Sequence, residues 1–253
     1  MKRVVRWIGI WMLTLVAVGA MGSMALADSH MGLSDSQKDQ LKALASNTRD
    51  RTGRERDALR RARRELFEVY SNYGIDERRA KVAQDKVSAA QLSLLNIHLD
   101  NEIALRDIFN ADQFQRFKSF LKKRVHHPEM MVLSPPEVAA FDRLQDKDML
   151  NSLGVDKDDQ KKLRQQNPQS AKAIRKMERD SNQLLELYSK YSLDSDDARQ
   201  IIDRIHDEQS SLLIAQHRRQ QVIRDVLSQY QFQRLREEVV KRMPERNDRK
   251  DRK

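Results

Sequence analysis

The 253-residue chain has no cysteine, only five prolines and seven glycines, and 6% aromatic residues. Without cysteine there is no disulfide framework, no thiolate metal site and no thiol nucleophile. With so few glycines there is no glycine-rich loop to cradle a phosphate. No Ser, His and Asp stand in the context of a hydrolytic triad, so nothing points to an enzyme. One apolar run, Trp7 to Met21, interrupts an otherwise polar chain of mean hydropathy −0.79. It is too short, and too soon followed by small residues, for a good membrane span.

The residues that are present begin with that run. Lys2, Arg3 and Arg6 precede it, and Ala25-Leu26-Ala27 comes after it with small residues at the positions a signal peptidase reads. The pattern predicts a Sec leader over 1–27, cleaved near Ala27, and hence a periplasmic protein with no stable membrane insertion afterwards. Cleavage removes both tryptophans and three basic charges, taking the formal +10 to +7. The remainder is rich in Gln, Arg, Lys, Leu and Ala, a composition suited to long helices with narrow apolar stripes.

Self-comparison organises the rest. Residues 65–124 align with 183–242 at a constant offset of 118, with about 20 of 60 positions identical. Leu66-Phe67-Glu68-Val69-Tyr70-Ser71-Asn72-Tyr73 faces Leu184-Leu185-Glu186-Leu187-Tyr188-Ser189-Lys190-Tyr191, and Gln113-Phe114-Gln115-Arg116 recurs as Gln231-Phe232-Gln233-Arg234. Upstream, Leu33 to Leu41 faces Val155 to Leu163 after a length change of about one helical turn. The expected organisation is a leader (1–27), a helical unit (31–127), a linker (128–149) holding Pro128, Pro135 and Pro136, a second unit (150–243) and a charged disordered tail (244–253).

Punctuation divides the first copy into a helix from about Asp35, a second over Arg54–Tyr73 stopped by Gly74, a long helix from Asp76 to near Ile108, and a short one over Ala111–Arg124. The long helix carries Ala80, Ala83, Val87, Ala90, Leu94 and Ile97 at steps of three and four, the spacing of one buried stripe. The second copy keeps it with Ala198, Ile201, Ile205, Leu212 and Ala215. A further short helix is expected over Pro136–Leu144, and nothing reads as a strand. The fold class is all-α, two tandem homologous four-helix units.

Four segments share one helix-start form: Leu33-Ser34-Asp35-Ser36-Gln37, Phe109-Asn110-Ala111-Asp112-Gln113, Val155-Asp156-Lys157-Asp158-Asp159 and Leu227-Ser228-Gln229-Tyr230-Gln231. Ser34, Asn110, Asp156 and Ser228 suit the N-cap, and Gln37, Gln113 and Gln231 stand where a capping box closes. Asp159 is a shorter version. Phe109 with Phe114, and Leu227 with Phe232, have hydrophobic-staple spacing. The motif fixes where helices join and carries no chemistry of its own.

This repeated L-[ST]-x-x-Q form, behind a leader and a long amphipathic helix, resembles the Spy/CpxP family of periplasmic stress proteins, here twice in one chain. The resemblance implies an ATP-independent chaperone for unfolded or misfolded envelope proteins. The alternative it implies is an adaptor or metal-sensing regulator acting on a sensor kinase in a two-component system. It also implies pairing of units, so the copies are expected to pack as a covalent pseudo-dimer, monomeric in solution, with a homodimer as the other outcome. No cofactor is expected.

Three sets of residues remain as candidate sites. No two histidines sit at helix-face spacing, and the weak metal candidates are His126 and His127, with Glu129, Met130 and Met131 close by. The simpler reading there is a polar linker. The arginine run of 49–64 includes Arg54, Arg60, Arg61 and Arg64. It is either a solvated helix face or a positive surface for acidic clients, nucleic acid being unexpected after export. Tyr70, Tyr73, Tyr188 and Tyr191 recur at helix ends, as core packing or as an aromatic rim for clients.

Overall fold

The computed structural model describes residues 32–124, 147–165 and 168–241. They form eight α-helices and no strand: α1 (Asp35–Tyr70), α2 (Glu77–Ile108), α3 (Ala111–Arg124), α4 (Lys147–Ser152), α5 (Lys157–Gln165), α6 (Pro168–Ser189), α7 (Ser195–Val226) and α8 (Gln229–Lys241). The protein is all-α among the described residues. The leader, the expected helix over 136–144, His126 and His127, and the charged tail lie outside them.

The first copy departs from expectation. Instead of two helices meeting near Gly53, α1 is one helix of 36 residues. Its buried positions Leu41, Ala45, Thr48, Thr52, Ala62, Leu66 and Val69 keep one stripe at steps of three and four, with one longer step of ten that is a sum of these. Packing of that stripe against α2 outweighs the modest helix cost of a single glycine. A methyl group on Gly53 would meet nothing within 4 Å. The helix ends at Tyr70, three residues before the expected stop, through the Ser71 N–H donating to the Phe67 and Glu68 carbonyls. Gly74 is not in the left-handed region, unlike Gly32 (φ 62°) and Gly154 (φ 69°). The described part of the first copy therefore holds three helices, not four.

In the second copy the corresponding stretch is two helices, α5 and α6, with Pro168 at the first position of α6. Proline has no N–H to carry a helix through and suits a first turn. The expected linker boundary at 149 falls inside α4, whose Met149 and Leu150 are buried.

The long helices are joined by sequence-coded caps. Asp76 accepts from the Arg79 N–H and Asp194 from the Asp196 and Asp197 N–H groups, opening α2 and α7. Helix α2 packs on α1 and on α7, and α7 on α6. The stripe expected on α2, Ala80 to Ile97, is buried throughout. In α7, Ala198, Ile201 and Ile205 are buried, and Leu212 and Ala215 half-buried.

The apolar clusters do not respect the halves. Leu95 and Leu99 of α2 sit with Met177, Leu184, Tyr188, Ile201, Ile202 and Ile205. Tyr191 packs on the Leu41, Leu105, Phe109, Phe114 and Phe117 cluster, and Phe67 and Tyr73 pack on Leu150, Leu163, Ile223, Leu227 and Phe232. Each of the four clusters draws side chains from both aligned halves of the chain.

Candidate functional site

The capping motifs do more than start helices. Ser34 and Gln37 form a reciprocal capping box, as do Asn110 with Gln113 and Ser228 with Gln231. Asp156 accepts from the Asp159 N–H, and no return bond from Asp159 is formed. The spare glutamine donors tie the motifs together. Gln37 Nε2 donates to the Ile108 carbonyl (2.7 Å) and to Gln113 Oε1 (2.8 Å), and Gln113 Nε2 to the Gly32 carbonyl (3.1 Å). In the second copy Gln231 Nε2 donates to the carbonyls of Leu153 (3.0 Å) and Gly154 (3.2 Å). Leu33, Phe109, Val155 and Leu227 all pack into the apolar clusters beneath.

At each end of the molecule, a tyrosine of one copy seats in a socket of the other. Tyr191 Oη donates to the Phe109 carbonyl (2.9 Å), and its ring meets Phe114 edge-on at 5.7 Å between centroids. Tyr73 Oη donates to the Leu227 carbonyl (3.0 Å), and its ring meets Phe232 at 5.7 Å. The sockets take aligned residues, 118 apart. So do their arginines. Arg106 donates from Nε to the Tyr191 carbonyl (2.9 Å) and from Nη2 to those of Tyr188 (3.1 Å) and Lys190 (2.6 Å). Arg224 donates to the carbonyls of Asn72 (2.6 and 3.2 Å) and Tyr70 (2.7 Å). Carbonyls left over at a helix C-terminus attract a cation, so each arginine closes the helix end of the opposite copy. The guanidiniums lie over Phe114 and Phe232, 4.5 and 4.6 Å from the centroids.

Between the sockets, α2 and α7 run antiparallel. Ser88 Oγ and His206 Nε2 are 2.7 Å apart, so position 88 meets its own aligned counterpart. Ser210 Oγ lies 3.0 Å from the same hydroxyl. Toward the Arg224 end, His217 Nε2 is 2.7 Å from Glu77 Oε2, and its Nδ1 is 3.1 Å from Tyr70 Oη, which also accepts from Gln84 Nε2 (2.9 Å). Tyr188, aligned with Tyr70, has a buried hydroxyl with no partner, because Leu99 stands where His217 would be and Ile202 where Gln84 would be.

Charge balance differs between the sockets. Glu102 is fully buried and pairs with Arg106 (2.9 Å) and Lys118 (2.8 Å). Burial pulls Lys118 below the usual lysine range while the Glu102 carboxylate raises it. The aligned position in the second copy is Gln220, whose Oε1 accepts from Arg224 Nη1 (3.0 Å). Burial pushes Arg224 down to about 10, with the nearby Tyr70, Tyr73 and Glu77 opposing it. His98 is fully buried on α2 and pushed down to about 4, first by burial and then by Arg56.

Of the expected site residues, Tyr70 and Tyr188 are buried, and Tyr73 and Tyr191 are half-buried with their hydroxyls bonded. They are packing residues of the two ends, and no aromatic rim is formed by them. Arg54, Arg60, Arg61 and Arg64 are exposed on the outside of α1. Arg60 pairs with Asp57, while Arg54, Arg61 and Arg64 have no hydrogen-bonded or ion-pair partner among the described residues. On α6 the exposed Lys172, Arg175 and Arg179 are likewise without one. Arg54 and Arg61, and likewise Lys172 and Arg179, are seven residues apart and so on one helix face, about 10 Å along it. Half-exposed apolar residues stand on the surface at Val82 (48%) and Ile214 (50%), and Tyr230 is more exposed still. Val82 stands on α2 and Ile214 on α7, which run antiparallel. Among the described residues no three His, Asp or Glu side chains converge as a metal site would require, and no helix is long and apolar enough to cross a membrane.

Sequence reasoning missed Arg106, Arg224, Glu102 and His217. The first two were visible as an Arg-Asp pair identical in both copies, at helix positions where no apolar stripe demanded identity. No protein-family model, curated protein or solved structure matches the chain.

Proposed function

We propose that the protein is a nucleotide-independent, chaperone-like binder of unfolded or misfolded polypeptides in the cell envelope, exported to the periplasm through its leader. It performs no catalysis in this reading. The observation that carries it is that α1 and α6 expose cations with no ion-pair partner among the described residues, while Val82, Ile214 and Tyr230 stay exposed on helices whose own apolar stripes are already packed. Cations accelerate capture of acidic segments, and apolar contacts hold them. The resemblance to Spy/CpxP proteins supports the same reading.

The two copies are read as homologous halves of a covalent pseudo-dimer, supported by the aligned sockets of Tyr73 and Tyr191. The mature protein should then be monomeric by light scattering coupled to size exclusion, and a stable homodimer would contradict that arrangement.

Aggregation suppression tests the binding itself. Residues 28–253, mixed without nucleotide with a chemically denatured reporter protein, should suppress its light scattering near stoichiometric ratios. No suppression at large excess would abandon the reading in favour of a regulatory adaptor for a sensor kinase.

A further inference from the structure

The two ends of the molecule have the same plan and different bracing. We propose that the end built from α4, α5, α8 and the last turns of α7 opens as a unit while the Arg106 end stays closed, a device set by Gln220 standing where the first copy has Glu102.

Three observations carry this. At the Arg106 end, the buried Glu102 carboxylate ties α2 to α3 by accepting from Arg106 and Lys118. At the other end Gln220 is neutral, Arg236 (the counterpart of Lys118) is exposed, and no carboxylate lies within ion-pair distance of Arg224 among the described residues. Arg224 is hydrogen-bonded only to neutral carbonyl groups and lies over the Phe232 face, with the more distant Glu77 carboxylate only partly offsetting its desolvation.

The capping motifs differ in the same sense. Gln37 and Gln113 bond to each other and clamp the start of α1 to that of α3. Asp159 occupies the position aligned with Gln37, and Gln231 reaches only the Leu153 and Gly154 carbonyls.

Length separates the ends as well. The Arg106 end is anchored by α1, continuous over 36 residues. The Arg224 end has α4 (6 residues) and α5 (9) in that place, each too short to persist once detached, while α8 (13) and α3 (14) are alike in length. Such elements form a unit that opens below the global unfolding energy. Opening would uncover Leu163, Ile223, Leu227, Phe232 and Leu235, an apolar surface with Arg224 at its edge. The device stands or falls independently of what the protein binds.

Hydrogen exchange read by mass spectrometry on the intact protein tests it. Amides of α8 should exchange at least tenfold faster than those of α3. Gln220→Glu, which restores a carboxylate between Arg224 and Arg236, should slow α8 severalfold and leave α3 unchanged. Glu102→Gln should speed α3 and narrow the difference. Equal exchange in α3 and α8, faster exchange in α3, or a Gln220→Glu chain that fails to fold or keeps the wild-type α8 rate would overturn the proposal.

Discussion

Acid should destabilise this protein through His98, and the size of the effect comes from its surroundings. The imidazole is buried on α2, where desolvation and then Arg56 hold it down to about 4. In the unfolded chain it titrates near 6.5. Because the folded value is the lower one, the unfolded chain takes up the proton first as pH falls. The stability that neutral His98 allows is therefore complete above about pH 6.5 and is lost progressively toward pH 4. Over the whole window the loss is about 3 kcal/mol, and between pH 8 and pH 5 about 2 kcal/mol, at roughly 1.36 kcal/mol per pKa unit. Carboxylates titrate in the same range, so the test compares wild type with His98→Gln, which keeps a hydrogen-bonding side chain of similar reach. Urea unfolding at pH 8, 6 and 5 should show the wild type losing about 2 kcal/mol more than the variant. Parallel pH profiles for the two proteins would refute the reasoning.

Other substitutions test the packing. Gly53→Ala, on an exposed face inside continuous α1, should stabilise the protein by about 0.5–1 kcal/mol in denaturant melts; destabilisation would argue for a helix break there. Tyr70→Phe leaves His217 and Gln84 without their shared hydroxyl and should cost about 1–2 kcal/mol, whereas Tyr188→Phe removes an unpartnered hydroxyl and should be neutral or stabilising. Tyr73→Phe and Tyr191→Phe should each cost about 1 kcal/mol by depriving helix-end carbonyls of a donor. Replacing Arg54, Arg61 and Arg64 with Ser should slow client association at low salt and flatten its salt dependence, read by stopped-flow, with little change in thermal stability.

The long elements were legible because their causes are local. Ala80 to Ile97 repeat at helical steps, Asp76 and Asp194 cap the two long helices, and Ser34, Asn110 and Ser228 each meet a glutamine three positions on. Gly53 misled because a single glycine weakens a helix only slightly, while the stripe from Leu41 to Leu66 continues beneath it. Which helices join in space was harder. Gln37 and Gln113 are 76 residues apart, Tyr191 and Phe109 are 82 apart, and nothing local announces that they meet. Repetition did carry a trace of it. Tyr73 and Tyr191, and Arg106 and Arg224, are identical at aligned positions, and each pair makes the same contact with the opposite half. The asymmetries, such as Glu102 against Gln220 and His217 against Leu99, read as ordinary divergence until burial shows what they balance.

The most direct test of binding uses a protein that cannot refold, such as a reduced and carboxymethylated chain containing tryptophan. Residues 28–253 contain no tryptophan, so the client's own fluorescence reports the complex. Titration without nucleotide should saturate at a defined ratio, with association slowing as salt rises while bound client is retained. A flat titration with the unfolded chain at low salt would contradict the proposal that the protein binds non-native polypeptides.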